Sequence, residues 1–63
     1  MIREEWIEAV KNGLLAEGWS ELHSQEAAEA YADSEQEECG AGTAEWEDSG
    51  DMVTFILNEA MGW

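Results

Sequence analysis

Trp6, Ile7, Val10 and Leu14 recur at helical spacing and share one face, with Glu4, Glu5 and Glu8 on the other. The pattern predicts a first helix from about Ile2 to Glu17. Gly18 stands where a left-handed residue is expected to end it. Gly13 lies inside this segment and weakens it by roughly 1 kcal/mol relative to Ala. A connector from Gly18 to His23 carries Trp19 and Leu22, both expected to fold back onto the core. Ser24 or Ser20 is expected to cap a second helix by accepting an orphan backbone N–H. With Ser24 as cap, that helix runs to about Gln36. Ala27, Ala28, Tyr31 and Ala32 fall on one side of it, and Glu26, Glu29, Asp33 and Glu37 on the other.

Cys39 to Gly42 reads as a loop, and Thr43 as the cap of a third helix from about Ala44 to Met61. Unbroken, this helix puts Trp46, Val53, Ile56, Leu57 and Ala60 on one face and Glu47, Asp48 and Asp51 away from it. Gly50 either kinks it or splits it after Glu47. Gly62 is expected to end it. The expected fold is all-α: a small three-helix bundle, residues 1–63 forming a single acidic helical domain.

Composition changes this picture through charge. The 63 residues carry 16 Asp and Glu against 2 Lys and Arg, a formal net charge of −14. Only Arg3 and Lys11 are available to neutralise phosphates, so direct nucleic-acid binding is excluded. An anionic membrane surface repels the chain for the same reason. High net charge often marks disorder, but 44% of residues are apolar and four are Trp, so a folded chain is expected. The lone Cys39 has no internal disulfide partner, and small secreted domains usually need such staples. The first residues lack the apolar core of a signal peptide. The most apolar stretch, Met52 to Leu57, is six residues including Thr54, far short of a membrane span. A cytoplasmic location is expected.

The acidic residues do not favour stability along the helices. Glu4/Glu8, Glu26/Glu29, Glu29/Asp33, Asp33/Glu37 and Glu47/Asp51 are like-charge neighbours, each costing a few tenths of a kcal/mol at low salt. Glu8/Lys11 is the obvious compensating pair. Glu35, Glu37 and Glu38 crowd the end of the second helix, where the dipole prefers cations. A solvated, solubilising face is the plain explanation of such a run. Against it stands a comparison of scale. Duplex DNA carries one charge per about 1.7 Å of axis, so fourteen charges match about 24 Å of duplex. A compact chain of this length is about 27 Å across. Its axial charge density approaches that of DNA, and the carboxylates on successive turns of the second helix resemble a row of phosphates.

Other chemistries find little support. His23 and Cys39 are the only residues available for a Cys/His nucleophile pair, and no enzyme activity is expected. Glu45, Glu47, Ser49, Gly50 and Asp51 match positions of a calcium loop, but Ile56 stands where a bidentate Glu is required. One Cys and one His are too few for zinc, and no metal or cofactor is expected. Asp48-Ser49-Gly50-Asp51-Met52-Val53 is similar to the Asp-Ser-Leu segment of acyl carrier proteins, but Gly50 replaces the Leu and only 14 residues follow Ser49. A halophilic origin would also explain acidity. Halophilic chains favour Asp, whereas Glu outnumbers Asp 13 to 3 here.

Three stretches carry a family resemblance: Glu4-Glu5-Trp6-Ile7-Glu8, Glu26-Ala27-Ala28-Glu29-Ala30-Tyr31-Ala32-Asp33 and Glu45-Trp46-Glu47-Asp48. With the length and charge, they make the chain resemble the small acidic DNA-mimic proteins of phages. The resemblance is to anti-CRISPR proteins in particular, among them a type I-C inhibitor family. It implies that acidic faces occupy the DNA path of a Cas surveillance-complex subunit in the bacterial host cytoplasm, evading host defence. The expected partner is thus a basic nucleic-acid-binding protein. The candidate contact residues are Glu26, Glu29, Asp33 and Glu37 first, then Glu47, Asp48 and Asp51, then Glu4, Glu5 and Glu8. The alternative is an acidic helical interaction module, an adaptor or antitoxin, that binds through its aromatic residues, Trp19 or Trp63 above all. Trp6 and Trp46 are expected in the core.

Overall fold

A computed structural model describes residues 2–40 and 42–60. It contains three α-helices: α1 (Arg3–Ala16), α2 (Glu21–Cys39) and α3 (Ser49–Ala60), with a 3₁₀ turn at Thr43–Glu45. The expected all-α three-helix bundle is what forms. The parts of the expectations that fall on Ala41, Met61, Gly62 and Trp63 lie outside the described residues.

α1 is the central element, packing along both α2 and α3. Trp6, Val10 and Leu14 are its buried line. Glu5 Oε1 accepts from the Ile2 backbone N–H at 3.1 Å, satisfying one donor at its start. Its end is a Schellman turn: Gly18 N–H donates to Leu15 and Trp19 N–H to Leu14, with Gly18 at φ 95. That turn carries Trp19 back against the core, half-buried as expected. Leu22 does not follow it. In the first turn of α2 it stays 65% exposed, because α2 turns Ser24, Ala28 and Ala32 inward instead.

The cap of α2 is Ser20, whose Oγ accepts from His23 N–H at 3.2 Å. Ser24 is fully buried in the second turn, and α2 extends three residues beyond Gln36, to Cys39. The loop therefore opens at Gly40, at φ 87.

The third segment is split. Thr43 opens the 3₁₀ turn and does not cap α3. Trp46 is extended, with φ −76 and ψ 156, and Asp48 caps a new helix. Asp48 Oδ2 accepts from Gly50 N–H at 3.0 Å and Asp51 N–H at 3.3 Å. Trp46 thus enters the core from a loop and meets Trp6 edge-to-face at 5.2 Å. The inward line of α3 is Met52 and Ile56, flanked by half-buried Val53 and Leu57, while Ala60 is exposed.

Candidate partner-binding surface

None of the sixteen carboxylate residues is buried; fifteen are exposed and Glu35 is half-buried. This follows from the helix pattern: each inward line is apolar or small, which leaves the acids on the outer faces. The molecule measures 29 × 23 × 16 Å with a radius of gyration of 10.9 Å. A duplex 29 Å long carries about 17 phosphate charges at the spacing of DNA. The chain sets a net 14 negative charges against them.

The ten candidate residues fall into separate groups. Glu4 and Glu8 of α1 line a shallow groove together with Glu29 of α2, and Lys11 of α1 lines it beside them. Glu26, Glu29, Asp33 and Glu37 form the exposed row on α2, spanning about 16 Å at 1.5 Å per residue. That row is not uniformly open. Arg3 Nη2 reaches Asp33 Oδ1 at 2.6 Å while its Nη1 donates to Gln36. Glu29 accepts from Gln25 Nε2. Glu26 and Glu37 are left as its outlying charges.

Glu47, Asp48 and Asp51 make up the third group, at the entry to α3. The tryptophans hold this corner in place. Trp6 Nε1 donates to the Glu47 carbonyl at 2.8 Å, and Trp46 Nε1 to the Gly40 carbonyl at 3.0 Å. The Glu47 N–H donates in turn to Glu35 Oε1 at 3.0 Å. A buried ring pair thereby orients an exposed acidic loop. Glu35 and Glu38 stand beside this corner and face the same groove as Glu47 and Asp51. Neither is among the contacts expected from the sequence. The signal was present: both lie one and two turns beyond Tyr31 on one face of α2.

Asp48 and Glu5 have local duties as well as charge, one capping α3 and the other closing the start of α1. The expected Glu8/Lys11 pair is replaced by a longer-range one, with Lys11 Nζ 3.4 Å from Glu21 Oε1. Both basic residues are therefore spent on acids of α2.

The Cys/His pair does not form. His23 and Cys39 lie sixteen residues apart on α2, about 24 Å along its axis. Desolvation, then the charges of Glu35, Glu38 and Glu45, push the thiol of exposed Cys39 above its ordinary range. A thiol held protonated is a poor nucleophile. No calcium loop forms either, because Glu45 sits in the 3₁₀ turn and Ser49 to Asp51 in the first turn of α3. Among the described residues, no three His, Cys, Asp or Glu converge to hold a metal ion. Nor, among them, is any helix long and apolar enough to cross a membrane.

Compared with protein-family models, curated proteins and solved structures, the chain matches none. What fold and surface define is a class: a small helical bundle whose surface charges are almost all negative.

Proposed function

We propose that this protein is a non-enzymatic inhibitor that mimics the charge of DNA and occupies the DNA-binding site of a basic nucleic-acid-binding protein. The partner implied by the resemblance to anti-CRISPR proteins is a subunit of a Cas surveillance complex. The observation that carries this reading is the −14 charge held at the surface of a folded body 29 Å long. A cationic groove shaped for phosphates gains attraction from such a body without needing a base sequence. The open carboxylates Glu26, Glu37, Glu4 and Glu8 are the first contacts, with the Glu47–Asp51 corner next.

The test is binding to the partner across salt, with duplex DNA as competitor. Affinity is expected to fall by about tenfold or more between 0.1 and 0.5 M salt, and DNA and the protein to exclude one another. Reversing Glu26 and Glu37 to Lys should weaken binding more than the same change at Glu59. Salt-insensitive binding to a partner that still holds DNA would sink the idea.

Phe55, 48% exposed, favours a second reading, an interaction module that binds through an aromatic residue. Trp6 and Trp46 are buried against each other and do not serve it. Under that reading, Phe55→Ala abolishes partner binding and charge reversals have little effect.

A further inference from the structure

α1 packs along both other helices, but α2 and α3 meet only marginally, so the bundle is open on that side. The result is a groove of about 590 Å³. Its floor is the buried Met52 and the edge-to-face pair Tyr31–Phe55, with centroids 5.9 Å apart. Glu35, Glu38, Glu47 and Asp51 line its walls. On α2, Tyr31, Glu35 and Glu38 follow at i, i+4 and i+7; on α3, Asp51 and Phe55 follow at i and i+4. Each helix thus turns an edge that is part aromatic and part carboxylate toward the same space. Neither Arg3 nor Lys11 lines it, since both are held by acids elsewhere.

We propose that this groove receives an arginine side chain from a basic segment of a partner protein. Charge complementarity selects the occupant. Glu35 keeps its bond from the Glu47 N–H, but the four carboxylates around an apolar floor would otherwise lose hydration uncompensated beneath a neutral segment. A second copy of this chain would bring fourteen more negative charges. A guanidinium satisfies both parts of the site at once. Its plane stacks on an aromatic ring, and its five N–H donors meet carboxylates, in pairs where the geometry allows. A lysine ammonium is a compact, strongly hydrated point charge and gains less from the ring. The assignment goes beyond charge mimicry, because a polyanionic decoy needs no aromatic floor and this site does not require a partner that binds DNA.

The probes are two acetylated pentapeptides of equal charge, Gly-Arg-Gly-Arg-Gly and its Lys counterpart, titrated at 0.15 M salt and followed by NMR. The Arg peptide should bind about fivefold more tightly than the Lys peptide, as an added cation–π contact of about 1 kcal/mol predicts. Its shifts should concentrate on Tyr31, Phe55 and the second half of α2. Phe55→Ala should remove most of that preference. The pair Glu38→Gln and Asp51→Asn should weaken the Arg peptide about tenfold, and the charge-matched pair Glu17→Gln and Glu59→Gln less than twofold. Thermal unfolding checks each variant, and Glu38→Gln alone replaces the first pair if Asp51→Asn impairs folding. Equal losses from the two charge-matched changes would overturn the assignment, as would equal Arg and Lys affinities. Either failure leaves charge mimicry to its own test, competition with DNA.

Discussion

Gly13 reads in the sequence as a weak point inside α1 and Ser24 as one of two candidate caps of α2, and the structure makes both of them packing positions instead. A Cβ on Gly13 would lie 2.6 Å from Val53 Cγ2, so this glycine is the contact point at which α3 crosses α1. Valine is stiff at χ1 and cannot swing aside cheaply. Gly13→Ala therefore gains up to about 1 kcal/mol of helix propensity but incurs an overpacking cost of about 1–3 kcal/mol, for an expected net loss near 1 kcal/mol. In a Val53→Ala background the clash is gone and the same change should stabilise; denaturant unfolding of the four proteins checks the reversal of sign. Ser24 Oγ is buried with no hydrogen-bond partner. Ser24→Ala removes a desolvated hydroxyl and should stabilise the fold by about 1 kcal/mol, measured the same way. A loss on that substitution would mean that the hydroxyl is satisfied after all. Neither role was legible in the sequence. Apolar periodicity marks which face is inward, but it does not say which small residue meets a neighbouring side chain. Two serines four residues apart also offer equivalent caps until the packing of α2 selects one.

Boundaries were legible where the local chemistry was unambiguous. Gly18 ends α1 as expected, because the left-handed turn needs a residue without Cβ and the glycine sits at the required place. For the third segment the split after Glu47, one of the two readings open in the sequence, is what forms; the unbroken helix was the misleading one, because Trp46 and Val53 are seven residues apart and so mimic one helical face. Periodicity does not register a break that preserves spacing. Asp48 supplies the break by accepting from two backbone donors at the start of α3. Acids also stand in the first turns of α1 and α2 and inside the start of α3, where the helix dipole favours them. Part of the negative charge therefore supports the fold, and the unfavourable excess is concentrated at Glu35, Glu37 and Glu38. Asp48 separates the two contributions. Asp48→Ala should cost about 1 kcal/mol through the lost cap, whereas Asp48→Ser keeps an acceptor and should cost only a few tenths. Both remove the same charge. Thermal unfolding should split the two variants, and a weakening of partner binding common to both reports the charge alone.

At the scale of the molecule, the amount of charge and its place outside an apolar seam were legible from composition and helical spacing. The grouping of that charge was not. Two features needed tertiary structure: the α2–α3 opening with its aromatic floor, and the neutralisation of Asp33 by Arg3 from thirty residues away. The same −14 sets how the fold responds to salt. Like charges sit closer together in a body with a radius of gyration of 10.9 Å than in the expanded unfolded chain, so their repulsion opposes folding. Raising NaCl from 0.01 to 0.5 M shortens the screening length from about 30 Å to about 4 Å and relieves that repulsion. The melting temperature should then rise by about 8–15 °C, equivalent to roughly 1–2 kcal/mol for a domain of this size. A halophilic chain behaves differently: it would already be unfolded at 0.01 M salt, and far-UV circular dichroism at that salt distinguishes the two. For a charge mimic, stability and partner affinity must move in opposite directions over one salt titration, because one process crowds negative charges together and the other pairs them with cations. Parallel curves would mean that the contact is not electrostatic, and the charge would then be only a feature of the fold's exterior.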